Sequence, residues 1–238
     1  MSMIDQLNEA LAGVVEQTQA SLVQVTDGPR PAHVDFPRIL GKSFEEAMQL
    51  AARLLHWPQG AGAGVIVDSS GLILTNAHVV RRQRSMTVTL PGGESHTAAV
   101  LARDEANDLA LLKIEVADLP AIRFADPASL SAGQWVTAVG HPWGVRGAAT
   151  AGVVVGGGHL AGQMAAGREW LAASLHLRPG HSGGPLVDSE GNLVGINTMM
   201  AGPDVGLVVP IHVIRAFIEA VRAHMDVGTG KETGPAMV

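Results

Sequence analysis

Gly180-His181-Ser182-Gly183-Gly184-Pro185-Leu186 places a serine among glycines, and two earlier segments supply what such a serine needs. Thr75-Asn76-Ala77-His78-Val79-Val80 carries a histidine, and Asn107-Asp108-Leu109-Ala110-Leu111-Leu112 carries an aspartate. A serine hydroxyl is a poor nucleophile at neutral pH and needs a base to take its proton. An imidazole serves if a carboxylate fixes its tautomer and stabilises its charged form. Taken singly, His78 reads as a satisfied polar group, Asp108 as a surface turn and Ser182 as a loop hydroxyl. Taken together in the order His, Asp, Ser, they point to a serine-nucleophile hydrolase.

Gly180-x-Ser182-x-Gly184 also fits the nucleophile elbow of α/β-hydrolases, a sharp turn from strand into helix with the histidine after the serine. Two glycines and a proline follow Ser182, and both residue types oppose helix. The chain then runs through Leu186-Val187-Asp188 and turns at Glu190-Gly191-Asn192. His212 and His224, the histidines beyond Ser182, fall in or beside a helical stretch. The elbow reading is set aside.

The rest of the chain narrows the class. Its 238 residues, 47% hydrophobic, are enough for one large domain with a sizeable core. A net charge of −6, with no basic run beyond Arg81-Arg82-Gln83-Arg84, argues against nucleic acid as a partner. There is no cysteine, so disulfides and thiolate metal sites are excluded. The ten histidines show no ligand spacing, so neither metal nor cofactor is expected. No run approaches the roughly 20 apolar residues of a membrane span. The N-terminal residues lack the pattern of a secretory signal, which leaves a cytoplasmic protein or an extracytoplasmic mature form.

Ile4, Leu7, Leu11, Val14 and Val15 share one face of a helix over residues 3–19. Ser43 to His56 reads as an inserted helix with Phe44, Met48, Ala51, Leu54 and Leu55 as its apolar face. Short β-branched runs between turn signals then dominate, from Val65-Ile66-Val67 to Leu207-Val208-Val209, and predict an all-β barrel or sandwich. Gly60, Gly62 and Gly64, like Gly156-Gly157-Gly158, read as turns rather than phosphate loops. Ile214, Phe217, Ile218, Val221 and Met225 give a C-terminal helix over 211–225, followed by a flexible tail over 226–238.

Together these segments resemble the trypsin-like protease domain of the HtrA/Deg family over about residues 20–225. The match runs through Gly64 to Val80, the Asp108 segment, Gly140-His141-Pro142-Trp143-Gly144, Pro179 to Val187 and Gly195-Ile196-Asn197-Thr198. The resemblance implies a single protease domain over 1–225, a chymotrypsin/trypsin-like double β-barrel. Barrel one would cover about 20–122 and barrel two about 125–210. His78 would be the general base, Asp108 its orienting carboxylate, Ser182 the nucleophile, and the N–H groups of Gly180 and Ser182 the oxyanion hole. It further implies a substrate pocket lined by His176, Leu177, Thr198, Met199 and Met200, suited to small or medium aliphatic side chains. The family's PDZ domain has no counterpart in this sequence, and Arg178 and His181 stand where relatives commonly carry asparagine.

The expected activity is ATP-independent cleavage of unfolded or damaged polypeptides. The alternatives are a catalytically weak chaperone or binding module on the same fold, or an esterase. Relatives form homotrimers through their N-terminal segment, and the apolar face of the first helix offers such a contact. The same face could instead pack on its own barrel.

Overall fold

The computed structural model describes residues 2–28, 61–159 and 167–229. The expected helix at 43–56 lies outside them, as does the tail beyond 229. Helix α1 (Met3–Ser21) is started by Ser2 and Asp5, whose side chains each bond the other's backbone N–H. It passes straight into β1 (Leu22–Thr26). The first barrel continues with β2 (Gly62–Asp68), β3 (Leu72–Thr75), the one-turn helix α2 (Ala77–Val80), β4 (Ser85–Thr89), β5 (Ser95–Asp104) and β6 (Leu109–Lys113). The second contains β7 (Trp135–Gly140), β8 (Ala148–His159), β9 (Glu169–Ser174), β10 (Pro185–Val187), β11 (Leu193–Gly202) and β12 (Val205–Pro210). Helix α3 (Ile211–Thr229) follows and runs past the expected end at residue 225.

Both barrels are closed and antiparallel with one shared connectivity, β1-β2-β3-β6-β5-β4 and β7-β8-β9-β12-β11-β10 around the ring. Closure leaves no sheet edge to aggregate. Alternate residues of a strand face opposite sides, and in β6 both sides are buried. In β6, Ala110 and Leu112 fill the first barrel while Leu109 and Leu111 face outward. The outward residues join Val65, Leu74, Ile196, Leu207, Val209 and Ile214 in a cluster between the barrels and under α3. That double burial explains why β6 reads as an unbroken apolar run.

Two glycine readings are corrected. Gly62 and Gly64 lie within β2, where a Cβ on Gly62 would sit 2.7 Å from the Ser182 carbonyl oxygen. Gly62 is glycine because the second barrel approaches the strand closely, and Gly64 because Val23, Val25 and Ile73 crowd it inside the first barrel, with no turn involved. Gly156-Gly157-Gly158 belongs to β8 and pairs with Ala172, Leu171 and Trp170. Gly158 has φ +131, a backbone that only glycine adopts freely, whereas the neighbours of Gly156 leave space for a side chain and nothing around it explains the glycine.

Candidate active site

Each of the three segments that carry His78, Asp108 and Ser182 lies at the end of a strand, where the barrels face each other. His78 is the second residue of α2, immediately after β3. Asp108 directly precedes β6 and takes a left-handed backbone (φ 57), which aspartate tolerates better than most residues. Both oxygens of its carboxylate are engaged by His78. Oδ2 accepts from the ring Nδ1 at 2.7 Å and Oδ1 from the His78 backbone N–H at 2.9 Å. Asp108 is buried while the His78 ring is half exposed. The imidazole is therefore anchored at one nitrogen and open at the other.

Asn76, fully buried, donates to the Asp108 carbonyl at 2.9 Å and to the Thr198 hydroxyl at 3.2 Å. It thus ties the first barrel's aspartate to the second barrel's β11. Ser182 is clamped from both sides. Its carbonyl accepts from the Ala63 N–H of β2 at 2.8 Å, and the next residue, Gly183, donates to Asn197 of β11 at 2.9 Å. The Ser182 hydroxyl donates to the Thr198 carbonyl at 3.0 Å and makes no hydrogen bond to His78.

Gly180 has φ +106, and a Cβ there would stand 2.4 Å from the His141 carbonyl oxygen. Glycine is required by both the dihedral and the space. Among the described residues the N–H groups of Gly180 and Ser182 donate to no acceptor, as an oxyanion site demands. Between them, His181 is buried, with its Nε2 lacking a hydrogen-bond partner. Burial pushes its imidazole below the usual range. The Arg178 backbone hydrogen bond opposes that shift, and the charges of Arg178 and His176 add to it.

The expected pocket residues divide. Thr198 adjoins Ser182, and the N–H of buried Leu177 donates to the Met200 sulfur at 3.2 Å. Met199 packs against the cluster between the barrels. His176 turns to solvent beside Asp204, at 3.6 Å. Sequence reasoning missed Asn76, Ala63 and the His141–Trp143 turn as supports of the site. Their contributions are backbone and cross-barrel contacts, which no residue type announces. Among the described residues no cluster of His, Asp or Glu could hold a metal ion, and no helix is long and apolar enough to cross a membrane.

Known proteins are similar to this chain in sequence and fold. The trypsin-like peptidase domain matches residues 62–196. Human serine protease HTRA4 is 35% identical over 189 residues, 76% of this chain and 40% of the relative. Mitochondrial serine protease HTRA2 of Drosophila willistoni is 32% identical over 73% of this chain and 41% of its own. The putative serine protease HhoA of Synechocystis sp. is 36% identical over 69% of this chain and 43% of its own. The chain thus spans about two fifths of the length of these relatives. A solved HtrA-type protease with a tripeptide superposes with a TM-score of 0.71 over 88% of this chain and 62% of its own, at 23% identity. At that identity the likeness speaks for the fold.

Proposed function

From its membership of the trypsin-like peptidase family, to which this chain belongs, we propose that it is a serine endopeptidase. It cleaves unfolded or damaged polypeptides without ATP, through an acyl-enzyme on Ser182. The observation that carries this reading is the double engagement of Asp108 by His78, which leaves Nε2 of the ring facing the open side. Ser182 Oγ leaves the Thr198 carbonyl, rotates about χ1 and gives its proton to His78 Nε2 as it bonds to the substrate carbonyl carbon. The oxyanion is met by the N–H groups of Gly180 and Ser182. His78 then protonates the leaving amine, and the peptide bond breaks. Water completes the cycle: His78 takes its proton, the hydroxide attacks the ester, and Oγ recovers a proton as the acid product departs. The primary pocket would lie beside the nucleophile, where Thr198 adjoins Ser182 and the Leu177 N–H meets Met200, and would favour small or medium aliphatic side chains before the cleaved bond.

A second reading, a binding module with little turnover, is favoured by one contact, the Ser182 hydroxyl resting on Thr198 instead of His78. A fluorophosphonate probe separates the two. We expect covalent labelling at Ser182, lost in Ser182→Ala and His78→Ala. Each variant should lower kcat on casein by on the order of 10⁴–10⁶, with the double variant little worse because the two side chains act as a unit. An unlabelled wild type with no casein cleavage supports the binding module. Assembly as a homotrimer through the outer stripe of α1, where Met3, Ile4 and Leu7 are exposed, belongs to the same proposal.

A further inference from the structure

The turn after β7, His141 to Gly144, holds the segment before Ser182. The His141 N–H donates to the Gly180 carbonyl at 2.9 Å, and the Trp143 N–H donates to the Pro179 carbonyl at 3.2 Å. The His181 carbonyl is taken by the Gly184 N–H at 2.9 Å. A trans peptide is planar, so its C=O and N–H point in opposite directions. Fixing the Pro179 carbonyl on Trp143 therefore aims the Gly180 N–H away from the turn. Fixing the His181 carbonyl on Gly184 does the same for the Ser182 N–H. Among the described residues these two N–H groups donate to no acceptor.

Trp143 adopts a left-handed backbone (φ 49, ψ 23), an outlier for a bulky side chain. Burial of the ring does not explain it, because Trp143 is 51% exposed. The ring instead faces the guanidinium of Arg178, which lies 5.5 Å from its centroid and belongs to the residue just before Pro179. Such a stack is attractive even at an exposed site. One residue thus holds its neighbour segment by backbone and by ring at once.

We propose that Trp143 is a positioning residue for acyl transfer. Clamped on Arg178, it locks the Pro179–Gly180 peptide so that the Gly180 N–H faces the developing oxyanion. This rests on the protease reading of Ser182. Without the lock, the Pro179 carbonyl is free to swing into the space the oxyanion needs, and the site binds peptide but meets the tetrahedral intermediate with the Ser182 N–H alone.

The test is Trp143→Ala, with Trp143→Gly, Trp143→Phe and Arg178→Ala beside it. Loss of one oxyanion donor costs on the order of 10²-fold in rate, so Trp143→Ala should lower kcat by about that factor with KM little changed. Trp143→Phe keeps a ring for Arg178 and should restore most of the rate. Glycine adopts the required φ freely, so Trp143→Gly should outperform alanine. Arg178→Ala should add little to Trp143→Ala, as expected for partners in one contact. Thermal midpoints should stay near wild type because the ring is exposed. A crystal structure of Trp143→Ala supplies the readout that needs no turnover, and it should show the Pro179–Gly180 peptide reoriented. Wild-type kcat in Trp143→Ala with that peptide unmoved overturns the proposal. Retained activity in Ser182→Ala overturns the protease reading instead, and the peptide orientation still judges Trp143.

Discussion

At Asp108 the left-handed backbone brings the whole carboxylate against His78, one oxygen for the ring and one for the backbone N–H. Asparagine keeps the size and tolerates the dihedral, but its amide nitrogen cannot accept a hydrogen bond. One of the two His78 donors then meets a donor, and the favoured ring tautomer reverses. Asp108→Asn should retain the fold by circular dichroism and lose about 10⁴ in kcat. His181 predicts a pH effect of definite sign. Its buried imidazole, faced by Arg178 and His176, binds a proton less readily folded than unfolded. Its contribution to stability is complete above the ordinary value of 6.5 and is lost as pH falls from there toward the lowered folded value. Urea melts should show wild type losing stability between about pH 7 and pH 5 more steeply than His181→Gln. Equal slopes would place the proton uptake on other histidines. The types and order of His78, Asp108 and Ser182 made the candidate site legible in the sequence. The orientation of His176 and the role of Trp143 were not, because both depend on which carbonyl or carboxylate the folded chain sets opposite them.

Helix α1 shows what periodicity can and cannot decide about an element. Its apolar face was legible, but one stripe serves two surfaces. Val14 is 7% exposed and packs into the cluster between the barrels, whereas Ile4 and Leu7 stand 69% and 51% exposed. The helix ends at Ser21 without glycine or proline, because Leu22 is taken into the sheet opposite Val65. Pairing with a distant strand leaves no local mark, and the boundary was unreadable for that reason. Val14→Ala should therefore lower stability in urea by about 0.5–2 kcal/mol, while Ile4→Glu with Leu7→Glu should leave the midpoint of the monomer unchanged. Light scattering on the second variant tests assembly: a smaller mass than wild type supports contact through this stripe, and an equal mass assigns any oligomer to another surface. Removing the whole helix would confuse the two effects.

For the molecule as a whole, the two barrels share a core. Leu111 is fully buried in the cluster between them, so Leu111→Ala should cost about 2–5 kcal/mol. In a Trp57→Phe background the remaining tryptophans, Trp135, Trp143 and Trp170, all report on barrel two. Their fluorescence should shift at the same urea concentration as the far-UV signal, and the barrel-one substitution should move both together. Separate transitions would mean that each barrel holds itself. Antiparallel strands with turn signals made the barrels legible, and the sharing of one core was hidden in β6, whose apolar run looked the same on either face. The bond from the Ala63 N–H to the Ser182 carbonyl crosses this same boundary. On the protease reading the site is complete only when residues from both barrels are in place. A ribosome-bound chain from which only the first half has emerged carries a base and its carboxylate but no nucleophile, so it cannot cleave the nascent proteins around it. The blade is armed by the last closure, when the finished halves meet.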